Sequence, residues 1–213
     1  MNRRHIILGA LLAGGVGLSA AEAKAKTILV LGDSLSAEYG LPRGSGWVAL
    51  LDKQLKAEKI DARVVNASIS GDTTSGGVSR LAALLRQYQP THVLIELGGN
   101  DALRGLPIKL TEDNLSQMTL AAQKSGAKVL LLGMQVPPNY GADYGARFAG
   151  TFASVAKAHK TALVPFLLKG VADGPNAEKM TEKLFQSDRI HPKAEAHPAI
   201  LANVWPELKK LLK

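Results

Sequence analysis

Apolar residues in this chain alternate between short continuous runs and longer stretches with helical spacing. The continuous runs cover residues 28–31, 64–65, 93–97, 129–132 and 163–165, and most of their members are Val, Ile or Leu. Short apolar runs of this kind are typical of strands that are buried on both faces of a parallel sheet. Each run therefore predicts one strand.

Amphipathic segments separate these runs. Val48, Leu51 and Leu55 recur at helical spacing, and a similar period is found in residues 81–88, 115–122, 148–159 and 200–212. Strands that alternate with helices favour a parallel sheet with helices packed on its faces. The sequence thus predicts an α/β protein, a three-layer α/β/α sandwich with a central parallel sheet, in a single domain over residues 26–213.

The first residues follow the pattern of an export signal rather than that of the fold. Residues 1–5 are basic, residues 6–18 are apolar, and small residues follow. Ala-Lys-Ala at 23–25 and Ala-Glu-Ala at 21–23 both fit a cleavage site, so we expect a signal peptide over residues 1–25 and an exported, periplasmic protein. An uncleaved membrane anchor is the alternative, and Arg3-Arg4 permits a twin-arginine route.

Composition removes several classes of function. The chain has no cysteine, which excludes a disulfide framework, a thiol nucleophile and a cysteine-based zinc site. The formal net charge is +8, but the basic residues are scattered and only 5% of residues are aromatic, so no nucleic acid is expected as a partner. Neither a P-loop nor the zincin H-E-x-x-H pattern occurs.

Polar, glycine-containing loops follow the predicted strands. They read GDSLS at 32–36, NASISGDTT at 66–74, GGND at 98–101 and MQVPPNYG at 134–141, and SDRIHP lies at 187–192. Ligands of such sheets bind at the carboxyl ends of the strands, where these loops converge. Any one of these loops would be an ordinary helix cap or turn, but their joint placement predicts one site.

The loops contain what a serine hydrolase needs. Ser34 is the candidate nucleophile, and the base should be a histidine because its pKa lies near neutrality. His191 is favoured because Asp188 precedes it by three residues and could orient its ring. The oxyanion would be held by the backbone N–H groups of Ser34 and Gly71 and by the amide of Asn100.

The remaining histidines are weaker candidates for the catalytic base. His5 lies in the leader, and His92 and His159 read as structural or exposed residues, whereas His197 could flank the site. Asp33 is expected to bind the backbone of its own turn rather than to act as an acid. No G-x-S-x-G motif occurs, which excludes the nucleophile elbow of the α/β-hydrolase fold.

The four blocks GDSLS, ISGDT, GGND and DRIHP resemble those of the SGNH, or GDSL, hydrolases, in order and across the whole chain after the leader. The longer stretches GDSLSAEYG and LIELGGNDALRG are similar to the periplasmic thioesterase I, lysophospholipase L1 and arylesterase branch of that family. The resemblance implies a flavodoxin-like fold and the hydrolysis of esters and thioesters without a metal or a cofactor. Glu38 and Ala102 depart from it, since related proteins often carry glycine at both positions.

Placement and resemblance together suggest the substrate. Leu103, Leu106 and Tyr140 should wall a groove for an acyl chain. We expect a monomer that acts on small-molecule acyl esters and thioesters, with at most peripheral contact with membrane lipid. Two alternatives stay open: a carbohydrate O-deacetylase of the same fold, and a periplasmic acyl or lipid carrier without activity.

Overall fold

A five-stranded sheet forms the centre of the molecule in the computed structural model, which describes residues 25–174 and 177–213. The predicted leader lies outside the described residues except for Ala25. The strands are β1 (Lys26–Gly32), β2 (Ala62–Asn66), β3 (His92–Glu96), β4 (Lys128–Leu132) and β5 (Ala162–Val164). All pairs are parallel, in the order β2-β1-β3-β4-β5. This confirms the predicted parallel sheet, and the order is that of flavodoxin-like folds.

Helices pack on the sheet in two groups. In chain order they are α1 (Trp47–Ala57), α2 (Thr74–Tyr88), α3 (Gly99–Leu103), α4 (Ile108–Lys124), α5 (Ala142–Ala158), α6 (Ala177–Leu184) and α7 (His197–Leu211). Helix α1 packs against α7, whereas α4 packs against both α2 and α5. The three-layer α/β/α sandwich predicted from the alternating pattern is therefore confirmed.

The observed helix bounds differ from the predicted ones in segments where apolar residues do not recur at helical spacing. Helix α5 begins at Ala142, six residues before Phe148. The prediction missed this start because residues 142–147 contain few large apolar side chains. The short helices α3 and α6 were not predicted. Pro192 forms an antiparallel bridge with Phe185, and α7 begins five residues later, at His197.

Central position explains the continuous apolar runs of β1 and β3. Ile28, Leu31, Val93 and Ile95 are fully buried, because helices cover both faces of these strands. One charged residue, Glu96, lies in the same buried run. Across the described residues, no helix is long and apolar enough to span a bilayer.

The topology also places the site. The chain leaves β1 for β2 on one side and reaches β3 on the other, so the carboxyl ends of β1 and β3 flank the switch point of the sheet. Their register sets Gly32 beside Glu96. The turn after β1 and the start of α3 therefore meet at one edge.

Candidate active site

Ser34, His191 and Asp188 form a continuous hydrogen-bonded chain at this edge. Ser34 Oγ lies 2.8 Å from Nε2 of His191, and Nδ1 of the same ring lies 2.7 Å from Asp188 Oδ2. Ser34 lies in the turn after β1, whereas the other two residues share the loop between α6 and α7. The structure thus brings together three side chains that the sequence had singled out.

The loop that holds the histidine is built around Asp188. Its Oδ1 accepts the backbone N–H groups of Ile190 and His191, at 2.9 and 3.0 Å, which leaves Oδ2 for the ring. Burial alone would raise the pKa of Asp188, but these hydrogen bonds and the one from the His191 ring outweigh it and lower the pKa. The carboxylate consequently stays charged, and it orients the imidazole.

That orientation assigns the two ring nitrogens. Nδ1–H donates to the Asp188 carboxylate, so Nε2 is left to accept the hydroxyl proton of Ser34. The Tyr39 ring packs against the His191 ring, with centroids 4.4 Å apart and an angle of 39° between the ring planes. A hydroxyl hydrogen-bonded to an oriented neutral imidazole is the arrangement that generates an alkoxide nucleophile.

The three candidate oxyanion donors lie on the turn after β1, on the loop after β2 and at the start of α3. No protein acceptor within the described residues binds the N–H of Ser34 or of Gly71. Gly71 has a φ of +78°, which a residue with a side chain would adopt only with strain. Asn100 differs from the simple prediction, because its Nδ2 donates to Asp33 Oδ2 and to the Asp72 carbonyl, both at 2.9 Å. An oxyanion would have to replace one of these acceptors.

Asp33 anchors its turn, as predicted. Its Oδ1 accepts the N–H of Leu35 at 3.0 Å, and its Oδ2 accepts the Asn100 amide. Burial raises the pKa of Asp33 to about 6, against the effect of the Leu35 hydrogen bond, the His191 charge and the Asn100 hydrogen bond. The carboxyl next to the candidate nucleophile thus binds a donor of the oxyanion set.

Sequence reasoning missed an arginine that contacts the loop carrying Gly71. Arg80, on α2, pairs with Asp72 at 2.7 Å and donates to the carbonyl oxygens of Ala67 and Gly32. It therefore ties the ends of β1 and β2 to the loop that carries Gly71. Arg80 lies within an ordinary amphipathic helix, so only its contacts reveal this role.

Glu38, where related proteins often carry glycine, has a left-handed backbone conformation that its own side chain stabilises. Its φ is +59°, the left-handed region in which glycine is favoured. The side chain offsets the strain, because its carboxylate accepts the N–H groups of Gly44 and Gly46 at 2.9 and 2.8 Å. The departure from the family pattern thus fixes the loop that leads into α1.

The other described histidines have partners of their own. His92 contacts Thr91 and the Leu211 carbonyl, and His159 contacts Ser116, so both are structural as expected. His197 is buried, and its Nδ1 accepts the N–H of Trp47 at 3.0 Å, which joins the starts of α7 and α1.

The three residues expected to wall an acyl groove lie on two loops. Leu103 ends α3 with 46% of its surface exposed, and Leu106 follows in the connection to α4. Tyr140 lies in a 3₁₀ turn, with its ring 6.0 Å from that of Tyr144. In the part of the chain that the structure describes, no group of three His, Asp or Glu side chains is placed to hold a metal ion.

Known proteins are similar to this chain in sequence and in fold. Esterase TesA of Pseudomonas aeruginosa is 52% identical over 191 residues, which cover 90% of this chain and 92% of that protein. The protein named thioesterase 1/protease 1/lysophospholipase L1 of Escherichia coli K12 is 40% identical, covering 89% of this chain and 86% of that protein. A crystal structure of TesA superposes with a TM-score of 0.82 at 52% identity, covering 87% of this chain and 99% of that one.

The sequence model of the GDSL-like lipase/acylhydrolase family matches residues 30–199. The match runs from β1 into α7 and includes each of the loops that meet at the candidate site. The chain belongs to the GDSL-like lipase/acylhydrolase family.

Proposed function

We propose that this protein is a serine esterase that hydrolyses carboxylic ester and thioester bonds of acyl substrates, including aryl esters, lysophospholipids and acyl-CoA. The observation that carries the proposal is the unbroken hydrogen-bonded chain from Ser34 through His191 to Asp188. Its relatives support the substrate class, since they are named an esterase and a thioesterase and lysophospholipase.

The reaction follows from the proton positions. Ser34 Oγ attacks the acyl carbonyl while its proton passes to His191 Nε2, and Asp188 stabilises the imidazolium. The tetrahedral intermediate then expels the alcohol or thiol, which takes that proton. Water, deprotonated by the same nitrogen, attacks the acyl-Ser34 ester. The second tetrahedral intermediate expels Ser34 Oγ, which takes that proton back from His191, and the carboxylic acid is released. The intermediate's negative oxygen is held by the N–H groups of Ser34 and Gly71 and by the Asn100 amide.

Replacing Asn100 with alanine should lower kcat by about 10²–10³-fold, because the amide donates to a charge that exists only in the transition state. KM should change little. The measurement is steady-state hydrolysis of a p-nitrophenyl ester, with Asn139→Ala, an exposed amide in the 3₁₀ turn, as the matched control. A loss confined to KM would contradict the assignment of Asn100 to the oxyanion hole.

Replacing Leu103 and Leu106 with serine should weaken the hydrolysis of long acyl chains more than that of short ones. Each methylene that loses apolar contact costs about 0.8 kcal/mol, so the deficit should grow with chain length. The comparison is kcat/KM along a series of p-nitrophenyl esters. Leu120→Ser is the matched control, since Leu120 is similarly exposed but lies on α4. Equal losses on short and long esters would remove these leucines from the groove.

The first experiment compares initial rates on p-nitrophenyl esters of acetyl to palmitoyl chains, with Ser34→Ala as the blank. Rates that depend on Ser34 and peak at medium or long chains would support the proposed esterase and thioesterase function. Activity confined to acetyl esters would favour the carbohydrate O-deacetylase, and binding without turnover would favour the carrier.

The same proposal includes export to the periplasm by cleavage of residues 1–25, a monomeric state and the absence of a cofactor. The sequence pattern of residues 1–25 supports the export step. Amino-terminal sequencing of the protein recovered from a periplasmic fraction tests it, and a start at residue 24 or 26 is expected.

A further inference from the structure

Two carboxyl groups that the triad does not use are buried behind Ser34. Asp33 is 2% exposed and Glu96 is fully buried. Glu96 ends β3, and the sheet register sets it beside Gly32, one residue before Asp33. A methyl group on Gly32 would lie 2.7 Å from Glu96 Oε2, so the glycine makes room for this carboxyl.

The two oxygens of Glu96 have different surroundings. Oε2 accepts the Asp33 N–H at 3.2 Å and the Ser36 hydroxyl at 2.7 Å, and Ser36 Oγ in turn accepts Trp47 Nε1–H at 3.1 Å. No N–H or O–H group among the described residues donates to Oε1. One oxygen therefore holds the turn that carries Ser34, and the other is free to carry a proton.

Charge on both carboxyls would be costly. None of the ion pairs between described residues includes Asp33 or Glu96. Burial, the nearby Asp33 charge and a hydrogen bond between the two carboxyl side chains raise the pKa of Glu96 well above its usual range, against the hydrogen bonds from Ser36 and from the Asp33 N–H. Besides Glu96, the charged or titratable groups that act on Asp33 are His191 and Asp72. Two adjacent buried carboxyls without a cation retain one proton between them.

We propose that Glu96 is a neutral carboxylic acid whose Oε1 proton is held by the Asp33 carboxylate, and that the pair positions Ser34 and the Asn100 amide. The charge remains on Asp33, where Leu35 N–H and the Asn100 amide donate to it. Glu96 touches no reacting atom, so it is a positioning residue. The kinetic part of this inference rests on the proposed esterase function, whereas the protonation state does not.

Substituting Glu96→Gln tests the protonation state directly. Glutamine reproduces the neutral acid, because its carbonyl accepts from Asp33 N–H and Ser36 while its NH₂ replaces the O–H toward Asp33. Infrared spectroscopy at neutral pH should show a protonated-carboxyl C=O band in the natural protein that Glu96→Gln lacks. The absence of such a band from the natural protein would overturn the proposal, whatever its activity.

Stability gives a second test. A pKa raised by folding means that Glu96 contributes stability below its unfolded pKa, and that this stability is lost as pH rises through the folded pKa. The Tm of the natural protein should therefore fall relative to that of Glu96→Gln as the pH rises from about 4.3, the ordinary pKa of a glutamate, through neutrality. Parallel curves would contradict a neutral Glu96.

Kinetics test the positioning role. Glu96→Ala should lower kcat about tenfold or more with little change in KM, and Glu96→Gln should recover most of that loss. A glutamine variant as slow as the alanine variant, yet folded, would overturn the role of the neutral acid.

Asp101 offers the matched control because it is an equally buried carboxyl that neighbours Asn100. Both its oxygens accept from Thr74, one from the N–H and one from the hydroxyl. Asp101→Asn should thus lower Tm at neutral pH, whereas Glu96→Gln should not.

Discussion

The Ser34→Ala variant should hydrolyse a medium-chain p-nitrophenyl ester with kcat/KM lowered by about 10⁴–10⁶-fold. The loss is large because no other group supplies the oxygen that bonds to the acyl carbon. Its 2.8 Å contact with His191 disappears with the hydroxyl, but the fold should be retained, since the backbone of the turn is still anchored by Asp33. The measurement combines initial rates with a circular dichroism melt.

Ser70→Ala is the control for this result. Ser70 is exposed on the neighbouring loop after β2, next to Gly71. The Ser70→Ala variant should hydrolyse the ester at close to the rate of the unmodified protein, and a fluorophosphonate probe should phosphonylate only the unmodified protein and this control. Full activity of Ser34→Ala with an intact melt would remove Ser34 as the nucleophile.

The His191→Ala variant should lose activity by a similar factor, because Ser34 then has no base and the leaving group no acid. The double variant Ser34→Ala/His191→Ala should be no slower than either single variant, since the two residues act as a unit. Both are measured on the same ester as the single serine variant.

His159→Ala provides the comparison, as His159 contacts Ser116 and the Gln123 side chain rather than the site. It should retain its rate. Additive losses in the double variant would mean that His191 and Ser34 act separately, and the triad assignment would then be wrong.

Much of the architecture was predictable because the driving pattern is simple. Strands buried on both faces must be apolar throughout, and the runs around Val30, Ile95 and Leu131 reveal them. Parallel order then brings the loops to one edge. The start of α5 was not predictable in this way, since residues 142–147 include Gly145 and few large apolar side chains.

The candidate site was predictable as a set of residues but not as a set of contacts. Glu96 lies in an apolar run and could have been singled out as an unexpected charge. The second acceptor of Asn100, the Asp72 carbonyl, comes from the backbone, which leaves no trace in the identity of side chains. The contact between the rings of Tyr39 and His191 depends on how two distant loops pack together, and the sequence of neither loop indicates this packing.

Asp188 and His191 are only three residues apart in the sequence, whereas His191 and Ser34 are 157 residues apart. Closing so short a segment removes little chain entropy, so the acid and the base can pair as soon as their loop forms. The long contact forms only after β1 and α7 have docked on the same sheet. Catalytic activity therefore requires the complete tertiary structure. A loosened tertiary structure would abolish ester hydrolysis, even while the hydrogen bond between Asp188 and His191 is retained.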